Sequence, residues 1–216
     1  MTRTAALLVL VALALVPTAL RGSDGLAVLV RDEAGTPVAD AVVYVAGPAA
    51  GSRSARATMD QENQEFVPQV LAVEVGTAVS FPNRDNIRHH VYSFSPAKRF
   101  ELPLYTGTPA VPVIFDQPGA VVLGCNIHDW MVAYIYVSAS PHFAKTGTDG
   151  RAALRGLPAG AHELAVWHPR LRTPGEAPVR RVTIGSDPVP VEFKLVLRPE
   201  RKRPRTTPRY ENQQGG

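Results

Sequence analysis

The chain has 216 residues, 45% of them hydrophobic, with a formal net charge of +4. Its 20 prolines and 17 glycines make up about 17% of the chain, above ordinary usage but without the period of collagen, the heptads of a coiled coil or the polarity of a wholly disordered chain. A single cysteine excludes an intramolecular disulfide framework.

Taken in chain order, the first segment reads as a secretory signal over residues 1–22. Arg3 supplies the positive start, and Ala5 to Val16 is an unbroken apolar run of 12 residues ended by Pro17. That run is shorter than the roughly 20 residues a membrane span requires, so no stable span is expected after cleavage. Strands follow at Leu26 to Val30 and Val38 to Ala46, separated by a turn at Gly35. Residues 51–65 are polar and small and read as a connection. Val67 to Phe81 reads as two strands with a turn at Gly76-Thr77. Further strand-like runs lie at His90 to Phe94, Val111 to Phe115, Ala120 to Leu123 and Val132 to Val137. After Ser140 come Arg151 to Leu157, Ala161 to Trp167 and Val189 to Leu197. No apolar pattern of helical period is sustained, and strand spacings of eight to twelve residues indicate an all-β sandwich or barrel.

The strands at the two ends are too few to be stable separately. The economical arrangement joins residues 24–50 and 140–197 in one small β-sandwich, with residues 52–139 inserted as a second unit. Residues 198–216, with six Lys or Arg and three prolines, read as a disordered basic tail. Between Asp24 and Leu197 there are 15 basic and 17 acidic residues, so the body carries a net charge of −2. Nucleic acid is therefore not an expected partner.

One segment concentrates chemistry. Cys125-Asn-Ile-His128-Asp-Trp-Met131 places thiolate, imidazole and thioether donors within seven residues. Soft sulfur with imidazole selects copper, and a trigonal site needs a second histidine, for which His89 and His90 are candidates. Cysteine, two histidines and a weak methionine form the electron-transfer copper set. Zinc would accept Cys and His but gains little from Met131. A Cys125–His128 nucleophile pair lacks an evident orienting third group. Taken singly, a cysteine or methionine is ordinary core filling. In an exported chain, however, a free thiol is a liability that metal ligation would mask. Adjacent strand residues point to opposite faces, so only one of His89 and His90 is expected to face the metal. Trp130 reads equally as an exposed docking aromatic or as a ring packed over the loop. His142, His162 and His168 have no ligand spacing around them and read as structural or solvated.

The stretches Phe66-Val-Pro-Gln-Val-Leu-Ala-Val-Glu-Val-Gly76, Val79-Ser-Phe-Pro-Asn83, His89-His-Val91, Phe115-Asp-Gln-Pro-Gly119 and Cys125 to Met131 together resemble the cupredoxins. The likeness is to the amicyanin and plastocyanin-like branch, including exported methylamine-utilisation-like proteins. It implies a Greek-key β-sandwich with one copper at its end, held by His89, Cys125, His128 and Met131. In that family an asparagine generally follows the first ligand and ties the ligand loops together by a hydrogen bond. Here His90 stands in that place, so His90, Asn126 and Asn83 are the residues expected to support the ligands. Arg88 is also less usual than an apolar residue there, and its charge would raise the potential. The flanks, with Gly35-Thr-Pro-Val-Ala-Asp-Ala-Val-Val43, Thr148-Asp-Gly-Arg151 and Leu157-Pro-Ala-Gly-Ala-His-Glu-Leu164, resemble a carboxypeptidase-regulatory or transthyretin-like sandwich.

These readings lead to an exported, periplasmic or secreted type-1 copper protein. It is expected to be a monomer and not an enzyme, carrying single electrons between redox proteins. The amicyanin resemblance implies a c-type cytochrome or a quinoprotein dehydrogenase as partner. The alternatives are a copper carrier without a redox role and a surface-binding β module.

Overall fold

The computed structural model describes residues 25–47, 55–185 and 189–200. The expected signal, the first residues (51–54) of the expected connection and the residues from 201 onward lie outside these, whereas residues 55–65 of that connection are described and carry short strands in place of a loop. Every regular element among the described residues is a β-strand, so the fold is all-β.

Two sheets enclose the first core. One has five strands, in the order β6 (Val70–Glu74), β12 (Val132–Ser138), β11 (Gly119–Cys125), β8 (His89–Ser95) and β9 (Lys98–Tyr105). The other has β10 (Val113–Phe115), β7 (Thr77–Ser80) and β3 (Arg56–Thr58). Their facing residues include Phe81, Phe115, Leu123, Ile135, Val79 and Met59, all buried. A hairpin of β4 (Asp60–Glu62) and β5 (Glu65–Val67) closes one end.

The strands from both ends of the chain share a second core. Strand β1 (Gly25–Asp32) pairs antiparallel with β14 (Arg151–Arg155) and parallel with β17 (Val191–Leu195). Facing it is a sheet in the order β13 (Phe143–Lys145), β2 (Val42–Val45), β15 (Gly160–Trp167) and β16 (Val179–Ile184). Val28, Val30, Leu154, Leu164, Phe193 and Leu195 fill the space between. A third apolar contact joins the sheets: Tyr136 on β12 stacks on Trp167 at 5.1 Å and meets Tyr44 at 5.0 Å.

Alternation positions the functional side chains. On β8 the burial pattern puts His89, Val91 and Ser93 inward and leaves His90, Tyr92 and Phe94 outside. On β11 Val121, Leu123 and Cys125 point into the same interior. The ladder pairs Cys125 with Val91, so His89 stands just past Cys125 at the sheet end.

Several strand boundaries depart from the sequence reading for local reasons. The run from Val38 begins as strand only at Val42, because Asp40 takes a left-handed backbone angle of 58°. The run from Val111 begins at Val113, after Pro112, which has no N–H for a ladder. Strands β3, β4, β5, β9, β13 and β16 lie where no strand was expected. Strands β9 and β16 are sheet edges rich in charge, with little apolar alternation to mark them. Arg198, the first residue of the expected tail, is held to the body: its N–H donates to the Arg170 carbonyl at 2.7 Å and its Nη2 to that of Pro169 at 2.8 Å.

Candidate metal centre

His89 and Cys125 enter the site from neighbouring strands, both buried, with 0% and 3% exposure. His128 enters from the loop that links β11 to β12. That loop is short and tight, closed by the Met131 N–H donating to the His128 carbonyl at 2.9 Å. The Cys125 Sγ lies 3.9 Å from His89 Nδ1 and 3.7 Å from His128 Nδ1. One donor atom from each residue falls within 4.8 Å of the others. The imidazole rings meet edge to face, centroids 5.0 Å apart.

These separations suit a shared ion. A sulfur and a nitrogen bound to one metal at about 2.0–2.3 Å stand about 3.5–3.8 Å apart in trigonal or tetrahedral geometry. Three donors converge on one point, with the thiol facing two imidazole nitrogens. Met131 is buried in the same apolar cluster as Cys125. Its thioether is soft and polarizable, a donor type suited to copper rather than to zinc.

The polar surroundings are ordered around His89. Its Nε2 lies 2.7 Å from Asp85 Oδ2. Asp85 also accepts the N–H groups of Asn63 at 2.7 Å and Gln64 at 2.9 Å. Burial by itself would raise the Asp85 carboxyl, but the Gln64 N–H, the His89 ring and the Asn63 N–H outweigh it and hold the group below its ordinary range. Asn83 organises the loop before His89. Its Nδ2 donates to the carbonyls of Ile87 at 2.8 Å and Tyr105 at 2.9 Å, while its Oδ1 accepts the Asp85 N–H at 3.0 Å. Below it, Gln61 Nε2 donates to Tyr105 Oη, and Tyr105 Oη donates to the Phe81 carbonyl at 2.6 Å. Burial pushes the Tyr105 phenol up to about 12, so it remains a donor.

His128 is in a different setting. Trp130 packs on its ring, with centroids 5.2 Å apart, and both are only partly buried. Desolvation, followed by the neighbouring His89, lowers its pKa. Trp130 thus packs over the loop while remaining partly at the surface.

Not every expected residue joins the site. His90 points to the opposite face of β8, against Tyr92 at 5.9 Å, with its Nε2 3.0 Å from Glu101 but outside hydrogen-bonding angles. Asn126 is exposed, and no hydrogen bond joins it to His90 among the described residues. Strand parity sends the His90 side chain outward, away from the loop that carries Asn126. Asp85 was not among the residues expected at the site. The signal available for it was a carboxylate four residues before a histidine in a turn that also holds Asn83.

No protein-family model matches the chain, and no curated protein does. Solved structures similar to it include copper proteins. A Cu-containing nitrite reductase from Thermus scotoductus SA-01 is 27% identical, over 44% of this chain and 25% of that one, with a TM-score of 0.37. This chain thus matches about a quarter of that reductase. A purple cupredoxin from Nitrosopumilus maritimus is 23% identical over 38% of this chain and 99% of its own, with a TM-score of 0.34. A reduced amicyanin variant is 20% identical over 44% of this chain and 98% of its own, with a TM-score of 0.35.

Proposed function

We propose that this chain is an exported mononuclear type-1 copper protein of cupredoxin kind that carries single electrons between redox proteins. The observation that carries this reading is the placement of Cys125 Sγ between the Nδ1 atoms of His89 and His128 at 3.9 and 3.7 Å. In this reading His89, Cys125 and His128 would hold the ion, and Met131 would be a further, weak soft donor. Copper held there supplies a one-electron couple.

The protein's own residues provide the rest. His89 and Cys125 are closed off from water by the core, which keeps the thiol from oxidants and holds two donors on packed strands. His128 alone of the three reaches partly to the surface, so its ring edge is the short route to a partner. Ile87 and Ile127, 37% and 48% exposed, flank the two ligand loops and suit a transient apolar contact. A set of four protein donors leaves little place for a substrate at the ion, so the centre is read as a carrier and not an enzyme. A c-type cytochrome or a quinoprotein dehydrogenase is the proposed class of partner, and the periplasm or the exterior the proposed compartment.

The test is titration of the purified, metal-free full chain with Cu(II). The expected result is an intense visible thiolate-to-copper band at one equivalent, abolished in Cys125→Ser and bleached reversibly by a one-electron reductant. A colourless protein would overturn the reading. A coloured protein that surrenders copper to a mild chelator within minutes would make it a copper carrier instead.

A further inference from the structure

We infer that Asp85 is the positioning residue that fixes the tautomer and ring orientation of His89, so that Nδ1 is free to take a metal before any metal arrives. The inference rests on the copper reading above and deepens it. A buried histidine has two ring nitrogens to satisfy, and only one can serve as a ligand. An ionised carboxylate can only accept hydrogen bonds, so the 2.7 Å contact from Asp85 Oδ2 requires the proton on His89 Nε2. Nδ1 is then left bare, and it is the nitrogen that faces Cys125 Sγ at 3.9 Å.

The carboxylate is itself built in. Its side chain is 12% exposed. Oδ1 takes the Asn63 N–H, and Oδ2 takes the Gln64 N–H as well as His89. Both donors sit at the β4–β5 turn with left-handed backbone angles of 55° and 59°, which aim their N–H groups at one point. The Asp85 N–H is held in turn by Asn83. The chain therefore runs from the hairpin turn through Asp85 to His89, and among the described residues no carboxylate anchors His128, which packs its ring against Trp130. Carboxylate partners of metal-bound histidines raise ligand basicity, and their loss typically costs about 10–100-fold in metal affinity. The negative charge favours the higher oxidation state, so its removal weakens Cu(II) binding more than Cu(I) binding.

Three measurements on the full chain test this. Nitrogen-15 spectra of the metal-free wild-type protein should show His89 protonated at Nε2 and bare at Nδ1; a proton on Nδ1 overturns the inference, whatever the protein does with copper. Competition with a chelator should show Cu(II) affinity about 10–100-fold weaker in Asp85→Asn than in wild type. The reduction potential of Asp85→Asn should rise, by about 59 mV for each tenfold by which the Cu(II) loss exceeds the Cu(I) loss. A purely structural role would loosen both oxidation states alike and leave the potential in place. Asp85→Asn with Cu(II) affinity within twofold of wild type and a potential within about 18 mV of it overturns the inference. Failure of the copper reading itself would show separately, as a colourless wild type with the Nε2 tautomer intact.

Discussion

Gly124, next to Cys125 in β11, offers a sharp test of how the site is packed. It pairs with Tyr92 across the ladder, and a Cβ at this position would lie 2.8 Å from both Cζ and Oη of the tyrosine ring. Gly124→Ala must therefore push the ring aside. The displaced atoms are the far end of a side chain, so the ring can swing, but it leaves its contacts with Phe94 at 5.1 Å and His90 at 5.9 Å. Overpacking and the loss of aromatic pairing together put the steric cost at about 1–2 kcal/mol. Against this, alanine in a strand gains about 0.5–1 kcal/mol over glycine through lower unfolded-state entropy. The expected net change in the wild-type background is a destabilisation of about 0–1.5 kcal/mol. In a Tyr92→Ala background the clash is absent, and Gly124→Ala should stabilise by about 0.5–1 kcal/mol. Urea denaturation of the four proteins in the cycle measures the coupling, expected at about 1–2 kcal/mol. Additivity within about 0.3 kcal/mol would show that Tyr92 does not fill the space beside Gly124 and would refute the argument.

Other expectations follow from single features. Burial, and next Arg170, depress the pKa of His168 from 6.5 to about 4. The unfolded state then takes up the proton first, so stability should fall as pH drops from about 6.5 to 4, by up to about 3 kcal/mol, and His168→Asn should flatten that slope in denaturation at several pH values. Trp167 is partly exposed but stacks on Tyr136 at 5.1 Å, and Trp167→Ala should cost about 2 kcal/mol and separate the thermal transitions of the two cores in calorimetry. Gly150 has a backbone angle of +72°, and a Cβ there would lie 2.5 Å from the Val30 carbonyl, so Gly150→Ala should lower stability by at least about 2 kcal/mol, read by urea midpoint. Arg84 pairs with Asp60 at the surface, where solvent screens the pair, and Arg84→Ala should leave the urea midpoint unchanged.

What could be read from the sequence, and what could not, divides along physical lines. Strands that line the cores announce themselves as short, bounded runs of apolar, β-branched and aromatic residues, as Leu26 to Val30 and Val132 to Val137 do. Edge strands do not. Lys98–Tyr105 mixes charge with Pro103, and Val179–Ile184 carries two adjacent arginines, because neither has to satisfy a core on both sides. The spacing of Cys125, His128 and Met131 was legible because one short loop carries all three. Strand parity also separates His89 from His90, whose side chains lie on opposite faces. The support was harder to see. Asn126 is adjacent in sequence but exposed, whereas Asp85 reaches His89 through a loop whose shape depends on Asn83 and on a hairpin turn some twenty residues earlier. No periodicity encodes such a contact, since it depends on where an irregular backbone places its N–H groups.

The donors differ in how firmly the fold holds them, and the difference follows from the elements that carry them. His89 and Cys125 face inward at the ends of adjacent strands, buried beside the cluster of Val91, Leu123, Phe81 and Phe115, so moving either would disturb it. Close-packed cores resist such displacement, because even small voids or overlaps are costly. His128 stands on a short loop closed by the backbone hydrogen bonds from Met131 to His128 and from Val132 to Trp130, and covered by the Trp130 indole. Variation in access, in metal exchange and in contact with a partner should therefore arise on the His128 side. The separation of Cys125 from His89 should change only when the core itself is disturbed.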